Sequence, residues 1–396
     1  MRGHGGDPGG LLQPGRGRVP PGPAAVALDW PMGFDTVSVV RSACCRLSFP
    51  YHRFQGSTAM TRHVRSILML LVSGTLLVAN LNGLVAADKP PPRHVMTLTD
   101  IERQLKELSN WNRWGDGDEL GSLNLMTPRT RRRAAKLVKR GVTVSLARVA
   151  EETKAVDNPD PFEQKMLKIG RTPGVPWVVD SYSVNYHGYA HTHIDSLCHL
   201  FFRGRLYNGF THEDVTEKGA RRLSIHNLRH GIFARGVLID IPRLRGKKWL
   251  EPAEAVYPED LDAWEKKADI KIGRGDIVLF RTGRWARRDA KGPWDVKAVG
   301  MPGLHASCCA WLKKRDIAMV GSDAAMDVMP SQIEGITHPV HLLLLHAMGC
   351  HIFDNCDLED LGNSCAEYRR WEFLLTASPI PVRGGTGSPL NPIAGF

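Results

Sequence analysis

Five side chains able to bind a metal ion lie at odd-numbered positions of one short segment: His187, His191, His193, Asp195 and His199. In an extended strand, successive side chains point to opposite faces, so residues two apart line one face. If this segment is a strand, imidazoles and a carboxylate project from a single surface, where neutral nitrogens and carboxylate oxygens bind divalent cations. The alternative is a strand with unrelated histidines. Four histidines and an aspartate at this spacing favour a metal site.

The sequence THIDSLCH at 192–199 resembles the second half of the signature H-x-G-T-H-x-D-x-P-x-H of the metal-dependent cyclase family, which includes bacterial kynurenine formamidases and isatin hydrolases. The match falls on His193, Asp195 and His199. The resemblance implies that His193 and Asp195 are metal ligands and that His199 is the catalytic acid or base. Two positions depart from the signature: Tyr189 stands in place of its first histidine and Leu197 in place of its proline.

These departures leave the third ligand open. His191 occupies the glycine position of the signature, and His187 lies on the same predicted face, so both are candidates for it. Of these two, His191 is included in the predicted ligand set with His193 and Asp195, and His187 and Tyr189 are candidates for supporting the ligands or contacting substrate.

Relatives in the family carry a further histidine on a late helix and an acidic residue about a dozen positions later. The resemblance implies that His341 and Asp354 are the matching pair, and both are predicted metal ligands. The usual acidic residue is glutamate, so Asp354 has a shorter reach. The alternative for His341 is a helix histidine that is hydrogen-bonded in the core.

Three further residues follow or end predicted strands. Asp323 and Asp327, in VGSDAAMD, could hold a ligand histidine in its reactive tautomer by a hydrogen bond to the ring nitrogen that does not bind the metal, or could cap the following loop. Arg281 ends a strand in GDIVLFRTG and could contact substrate. The alternative is that these residues only form the turn after the strand.

The N-terminal residues predict export. Residues 1–59 are rich in Gly, Pro and Arg and are interpreted as disordered or as translated upstream sequence. Residues 60–87 have a basic start, a short apolar core and a small-residue cleavage site, which is the layout of a signal peptide. The apolar run is short for a membrane span, and an uncleaved anchor is the alternative. Residues 88–99 are a predicted linker. We therefore predict a periplasmic or secreted protein without stable membrane insertion after cleavage.

Charge and cysteine usage exclude some classes of protein. The first 87 residues contain eight basic and three acidic side chains, so their removal lowers the net charge from +11 to +6. No basic stripe alternates with aromatic residues, which argues against nucleic-acid binding. The six cysteines after residue 87 fit no zinc ribbon or small disulfide scaffold, and buried free thiols are expected.

Alternating apolar strands and helices predict an α/β layered core. Strands are predicted at 142–147, 181–197, 235–241, 275–282, 317–323, 350–354 and 371–378, and helices at 100–109, 129–140, 258–268, 304–315, 337–349 and 358–368. The family resemblance extends over about residues 105–394. It implies that residues 100–396 form one swivelling β/β/α domain, which is often dimeric, so a homodimer is expected.

The predicted activity is hydrolysis of an amide, formamide or lactam C–N bond in a small molecule. A Zn²⁺ or Mn²⁺ ion would polarise the carbonyl and lower the pKa of bound water from 15.7 toward about 7. No G-x-S-x-G motif is present to supply a serine nucleophile instead. Two alternatives stay open: an exported, non-catalytic metal- or small-ligand-binding protein, which Tyr189 favours, and a lactone or ester hydrolase with the same machinery.

Overall fold

A nine-stranded mixed sheet forms the centre of the computed structural model, which describes residues 94–171 and 173–396. Fifteen strands occur in this described part: β1 (Thr143–Ser145), β2 (Glu163–Lys168), β3 (Val179–Ser183), β4 (His193–Asp195), β5 (Val215–Thr216), β6 (Gly219–Ala220), β7 (Ile232–Asp240), β8 (Ala255–Val256), β9 (Ile277–Arg281), β10 (Gly303–Leu304), β11 (Met319–Ser322), β12 (Ile352–Asp354), β13 (Glu372–Ala377), β14 (Gly387–Pro389) and β15 (Ile393–Gly395). The order across the large sheet is β1-β15-β13-β7-β9-β11-β12-β4-β14. The remaining strands form three two-stranded sheets.

The middle of the sheet is parallel, from β7 through β9 and β11 to β12. These strands contain apolar runs, such as IVLF in β9, as expected for strands covered on both faces. Alternate side chains enter two separate cores. Val237 and Val278 belong to one cluster, and Leu238 and Leu279 to the other. The strands on either side of this parallel block pair antiparallel and bring distant segments to the sheet edges.

Helices cover both faces of the sheet. In the described residues they are α1 (Leu98–Glu107), α2 (Pro128–Ala135), α3 (Ile241–Arg245), α4 (Pro258–Ala268), α5 (Arg284–Lys291), α6 (Val296–Val299), α7 (Cys308–Arg315), α8 (Pro339–His341), which continues as a π-helix (Leu342–Met348), and α9 (Glu359–Tyr368). Helix α1 begins two residues earlier than predicted. Its N-cap is Thr97, whose hydroxyl accepts from the Asp100 amide, while the Asp100 carboxylate accepts from the Thr97 amide at 2.8 Å. This reciprocal cap satisfies two otherwise unpaired N–H groups.

The predicted α/β class is confirmed, and most predicted elements occur with shifted ends. The prediction of one continuous strand over 181–197 is wrong. Strand β3 ends at Ser183 and pairs only with β2, whereas β4 starts at His193 and pairs with β12 and β14. Residues 184–192 between them are irregular and form a segment that we term the histidine loop. The two strands belong to different sheets, so the chain must turn between them.

The described residues belong to one compact unit. Among them, no helix is both long and apolar enough to cross a membrane. The predictions for residues 1–59 and the signal peptide at 60–87 lie outside the described residues. The six cysteines Cys198, Cys308, Cys309, Cys350, Cys356 and Cys365 are buried and free, as expected.

Candidate metal centre

Two neighbouring strands place three of the candidate side chains together. Strand β4 pairs antiparallel with β12, so that His193 lies opposite Asp354 and Asp195 lies opposite Ile352. Because His193 and Asp195 are two apart, they project from one face, and Asp354 projects from the same face of the adjacent strand. All three are almost completely buried, with 2%, 1% and 3% of their surfaces exposed for His193, Asp195 and Asp354.

His187 reaches this cluster from the histidine loop. Its Nδ1 lies 3.1 Å from Asp195 Oδ1, and its Nε2 lies 3.1 Å from the hydroxyl of Thr386. Thr386 immediately precedes β14, the strand on the other side of β4. A side chain at Gly387 would collide with the Ile194 carbonyl oxygen at 2.4 Å. The glycine therefore allows the C-terminal segment to approach β4 closely enough to contact the His187 ring.

His341 enters from the opposite side, at the end of α8. Its Nε2 lies 3.1 Å from Asp354 Oδ2 and 3.7 Å from Asp195 Oδ2. Its Nδ1 lies 2.5 Å from Asp327 Oδ2. The Asp327 carboxylate also accepts from the backbone amides of Val340 (2.7 Å) and His341 (3.1 Å). Asp327 therefore fixes both the start of the helix and the orientation of the His341 ring, as carboxylates behind ligand histidines do.

The described side chains form two potential ligand groups that share Asp195. One group is His187, His193 and Asp195, the other is Asp195, His341 and Asp354, and within each group the ligand atoms lie within 4.8 Å of one another. Ligands held at about 2.1 Å around a tetrahedral ion lie roughly 3.4 Å apart, so a modest contraction would close either group on a cation.

Buried carboxylate oxygens indicate that a cation fits this centre. Asp354 Oδ1 is buried and has no hydrogen-bond partner, while the buried Asp195 Oδ1 faces the ring nitrogens of His187 (3.1 Å) and His193 (3.5 Å). A buried carboxylate oxygen without a partner costs free energy unless an opposite charge compensates it. Their histidine and carboxylate environment is the donor set that Zn²⁺ and Mn²⁺ accept.

The charges within the centre reinforce one another. Burial would raise the pKa of Asp195, but the neighbouring His199, His187 and His193 hold it well below its usual range. Burial would also lower the pKa of His341, yet Asp354 and Asp327 raise it well above its usual range. The same competition, with Asp195 as the main partner, raises the pKa of His193. The centre thus strongly favours positive charge beside its carboxylates.

His193 is held in one tautomer. Its Nδ1 lies 2.9 Å from the carbonyl oxygen of His191, which can only accept, so Nδ1 carries the proton. The Nε2 lone pair is then directed to the centre, where it lies 3.5 Å from Asp195 Oδ1. This is the form in which an imidazole binds a metal.

His199 lies beside the two groups and belongs to neither. Its Nε2 is 3.9 Å from Asp195 Oδ2, and its ring stacks on that of His187 with centroids 4.0 Å apart. About a third (32%) of its side chain is exposed, in contrast to the buried His193. Burial and the nearby imidazoles lower the pKa of His199, although Asp195 opposes them. The neutral ring is therefore accessible from outside and able to accept a proton.

The side chains of three other predicted site residues lie outside the two ligand groups. The His191 ring is in neither ligand group, and only its carbonyl oxygen supports the centre. Arg281 forms buried ion pairs with Asp240 (2.8 Å) and Glu359 (2.6 Å). Asp323 accepts from the Thr282 and Gly283 amides, each at 2.8 Å, and so caps the loop after β9, while burial raises its pKa to about 6. Of the two roles considered for these aspartates, Asp323 caps a loop and Asp327 orients a histidine.

Tyr189 borders a cavity next to the centre. The cavity has a volume of about 400 Å³, and its lining includes His187, Tyr189 and His191. The Tyr189 hydroxyl contacts Met329 Sδ at 3.7 Å, and its ring packs against an apolar cluster that includes Trp294. Burial raises the pKa of Tyr189, so the phenol stays protonated. Thus the residue at the first histidine position of the signature forms a wall of the cavity.

Two residues at the centre were missed by the sequence analysis. Thr386 holds the His187 ring, and Asn355 donates to carbonyl oxygens of the histidine loop. A polar residue directly after the predicted ligand Asp354 was a usable signal for Asn355. Thr386 gave no such signal, because only the pairing of β14 with β4 brings it to the site.

Replacing His187 and His191 separately tests which loop histidine completes the ligand set. We expect His187→Ala to weaken Mn²⁺ or Zn²⁺ binding by at least the ~10–100-fold that loss of an outer hydrogen-bond partner costs. His191→Ala keeps the carbonyl that orients His193 and should bind metal nearly as the unmodified protein does. Isothermal titration calorimetry measures both. Weaker binding by His191→Ala alone would reverse the assignment.

Comparisons with known proteins agree with this fold. The family model described as "Putative cyclase" matches residues 50–327. A solved structure described as a novel cyclase is 30% identical, with a TM-score of 0.66, and the match covers 74% of this chain and 99% of that one. No curated protein gives a significant match.

Isatin hydrolases are more distant structural neighbours. Isatin hydrolase A from Labrenzia aggregata, bound to benzyl benzoate, is 21% identical with a TM-score of 0.50, over 66% of this chain and 94% of that one. The enzyme from Ralstonia solanacearum is 20% identical with a TM-score of 0.46, over 64% and 91%. The matched family model and the 30% identical cyclase structure show that this chain belongs to the cyclase family.

Proposed function

We propose that this protein is a metal-dependent hydrolase that cleaves an amide, formamide or lactam C–N bond in a small molecule. The observation that carries the proposal is the buried carboxylate of Asp195, which joins two ligand groups beside the accessible imidazole of His199. The fold similarity to isatin hydrolase A supports a hydrolase over a binding protein.

In this proposal His187, His193 and Asp195 hold one Zn²⁺ or Mn²⁺ ion, and His341 and Asp354 extend the site from the other side of Asp195. When bound, the cation supplies Lewis-acid activation of the substrate carbonyl and of water. Asp327 holds the His341 ring so that Nε2 faces the centre. The His191 carbonyl does the same for His193.

His199 is the proposed catalytic acid and base. Its lowered pKa keeps the ring neutral near pH 7, so it can take a proton from the attacking water and return one to the leaving nitrogen. Stacking on His187 fixes the plane of the ring, and Asp195 lies close enough to stabilise the imidazolium that forms. A positioned general base of this kind typically contributes ~10²–10⁴-fold in rate.

The cavity beside Tyr189 is the proposed substrate site. Its volume of about 400 Å³ suits a small molecule, and it borders His187.

A lactone or ester hydrolase would use the same arrangement and differ only in the leaving atom. A non-catalytic metal- or ligand-binding protein is the second candidate, because Tyr189 replaces a histidine of the family signature.

Metal analysis followed by turnover assays tests the proposal. We expect purified protein to hold Zn²⁺ or Mn²⁺ and to hydrolyse at least one of N-formylkynurenine, isatin or a simple lactam. A chelator should abolish turnover, and adding back the ion should restore it. Stoichiometric metal without turnover of any C–N substrate would contradict this activity and favour the binding protein. Turnover of lactones or esters alone would favour that hydrolase class.

We also propose that the protein is exported through the signal peptide at 60–87 and forms a homodimer. The leader layout supports the first statement, and the family resemblance supports the second. N-terminal sequencing of the mature protein tests the export signal, and sedimentation equilibrium tests the homodimer.

A further inference from the structure

The side chain of Asn355 links the histidine loop to a buried arginine. Its Nδ2 lies 2.7 Å from the carbonyl oxygen of Gly188 and 3.3 Å from that of His191, both in the histidine loop. Its Oδ1 accepts from Arg284 Nη1 at 2.8 Å. Both Asn355 and Arg284 are fully buried. The amide thus joins the sheet, helix α5 and the loop that carries His187.

The backbone of Asn355 is also fixed by two hydrogen bonds. Its amide donates to the Ala324 carbonyl at 3.1 Å, and its carbonyl accepts from the Thr192 hydroxyl at 2.7 Å. Its φ of +55° lies in the left-handed region, which asparagine and aspartate tolerate better than most residues. Asn355 directly follows Asp354, so one short segment presents a metal ligand and then holds the loop that brings another.

Arg284 determines which way the amide of Asn355 faces. A guanidinium can only donate hydrogen bonds, so the oxygen of the amide must face Arg284. The NH₂ group must then face the loop, where two carbonyl oxygens accept from it. Arg284 is itself held in place, since its guanidinium lies over the Trp285 ring at 4.2 Å. Arg284 therefore sets the orientation of the Asn355 amide from the side opposite the histidine loop.

The hydrogen bonds of Asn355 lead to two candidate metal ligands. The His191 carbonyl that accepts from Asn355 also accepts from His193 Nδ1, which fixes the His193 tautomer. The Gly188 carbonyl adjoins His187 in the chain. We propose that Asn355, oriented by Arg284, is a positioning residue that sets His193 and His187 for metal binding before the ion arrives. This inference rests on the proposed metal-dependent function.

The substitution Asn355→Asp isolates this role. Aspartate has a similar shape, tolerates the left-handed backbone and pairs with Arg284, but its carboxylate cannot donate to the loop carbonyls. We expect the affinity for Mn²⁺ or Zn²⁺, measured by calorimetry at 25 °C, to fall ~10–100-fold. The melting temperature of the metal-free protein should fall no further than in the control variant Asn208→Asp, which also loses hydrogen bonds to backbone carbonyls.

A second measurement reports on the ligand itself. At a pH where the His193 ring is neutral, long-range ¹H–¹⁵N NMR spectra of metal-free protein should show its proton on Nδ1, and this preference should weaken in Asn355→Asp. A purely structural role for Asn355 would lower the melting temperature without changing the tautomer.

Asn208→Asp is a matched control. Asn208 also has a left-handed backbone, with φ of 58°, and its Nδ2 donates to backbone carbonyls of Gly115 (3.0 Å), Asp116 (3.0 Å) and Asp118 (3.2 Å). None of these residues is a candidate ligand, so this variant should keep the metal affinity and the His193 tautomer.

Each outcome has one meaning. Wild-type affinity and tautomer in Asn355→Asp would overturn the inference, as would equal losses in Asn208→Asp. An unmodified protein that binds neither ion would instead refute the proposed function. If Asn355→Asp does not fold, Asn355→Gly keeps the left-handed backbone without the amide and is expected to show the same loss.

Discussion

The variant His199→Ala is expected to lower kcat about 10²–10⁴-fold while the protein retains its metal. The imidazole belongs to neither ligand group but lies at the accessible side of the centre, with Nε2 3.9 Å from Asp195. Its loss removes the proton acceptor and leaves the ligands in place. Steady-state kinetics on the substrate found in the turnover assays, together with metal analysis of the same preparation, measure both quantities.

His230→Ala is the control for this experiment. His230 is exposed and precedes β7, which is separated from β4 by three strands of the sheet. It should leave both kcat and metal content unchanged. If His199→Ala turns over substrate at the unmodified rate with metal bound, another group moves the proton and the assigned role is wrong.

The variant Asp195→Asn is expected to abolish metal binding at both ligand groups. Asp195 is the residue that the two groups share, and an amide oxygen carries no charge to balance the cation. An ion at 100 times its Kd stabilises the folded protein by about 2.7 kcal/mol. The unmodified protein should therefore melt several degrees higher with Mn²⁺ or Zn²⁺ present, whereas Asp195→Asn should show no such increase. Scanning calorimetry with and without the ion measures the difference.

Asp276→Asn provides the matched control, because Asp276 is also a buried aspartate but pairs with Arg235 at 2.6 Å, away from the candidate ligands. That variant should keep the metal-induced increase in melting temperature even if its baseline stability falls. A full increase in Asp195→Asn would show that the ion binds elsewhere, and the proposed centre would have to be abandoned.

Tyr189 stands at the position of the signature's first histidine. Its ring packs against the apolar cluster that includes Trp294, while His187, two residues earlier, contacts Asp195. We predict that His187 takes the place of that histidine, because side chains in the irregular histidine loop need not alternate as they do in a strand. The test of His187 against His191 therefore examines whether this chain supplies the same ligand from a different position.

The sequence alone determined the features that depend on local geometry. His193 and Asp195 share a face because residues two apart do so in any strand, and the structure places them in β4. Continuous apolar runs predicted the buried strands of an α/β core, and the predicted helix at 258–268 has the same bounds as α4. These patterns repeat over a few residues, so they can be read without knowing the tertiary contacts.

Only the tertiary structure determined which other residues lie beside His193 and Asp195. The alternating pattern made both His187 and His191 candidates, and the prediction placed His191 in the ligand set. In the structure, contacts with Asp195 and Thr386 bring in the His187 ring, and His191 contributes a carbonyl. The different hydrogen bonds of the two aspartates likewise depend on tertiary contacts: Asp323 caps the loop after β9, and Asp327 caps the start of α8. The physical reason is that irregular segments have no fixed side-chain period, so hydrogen bonds to residues far along the chain set their conformation.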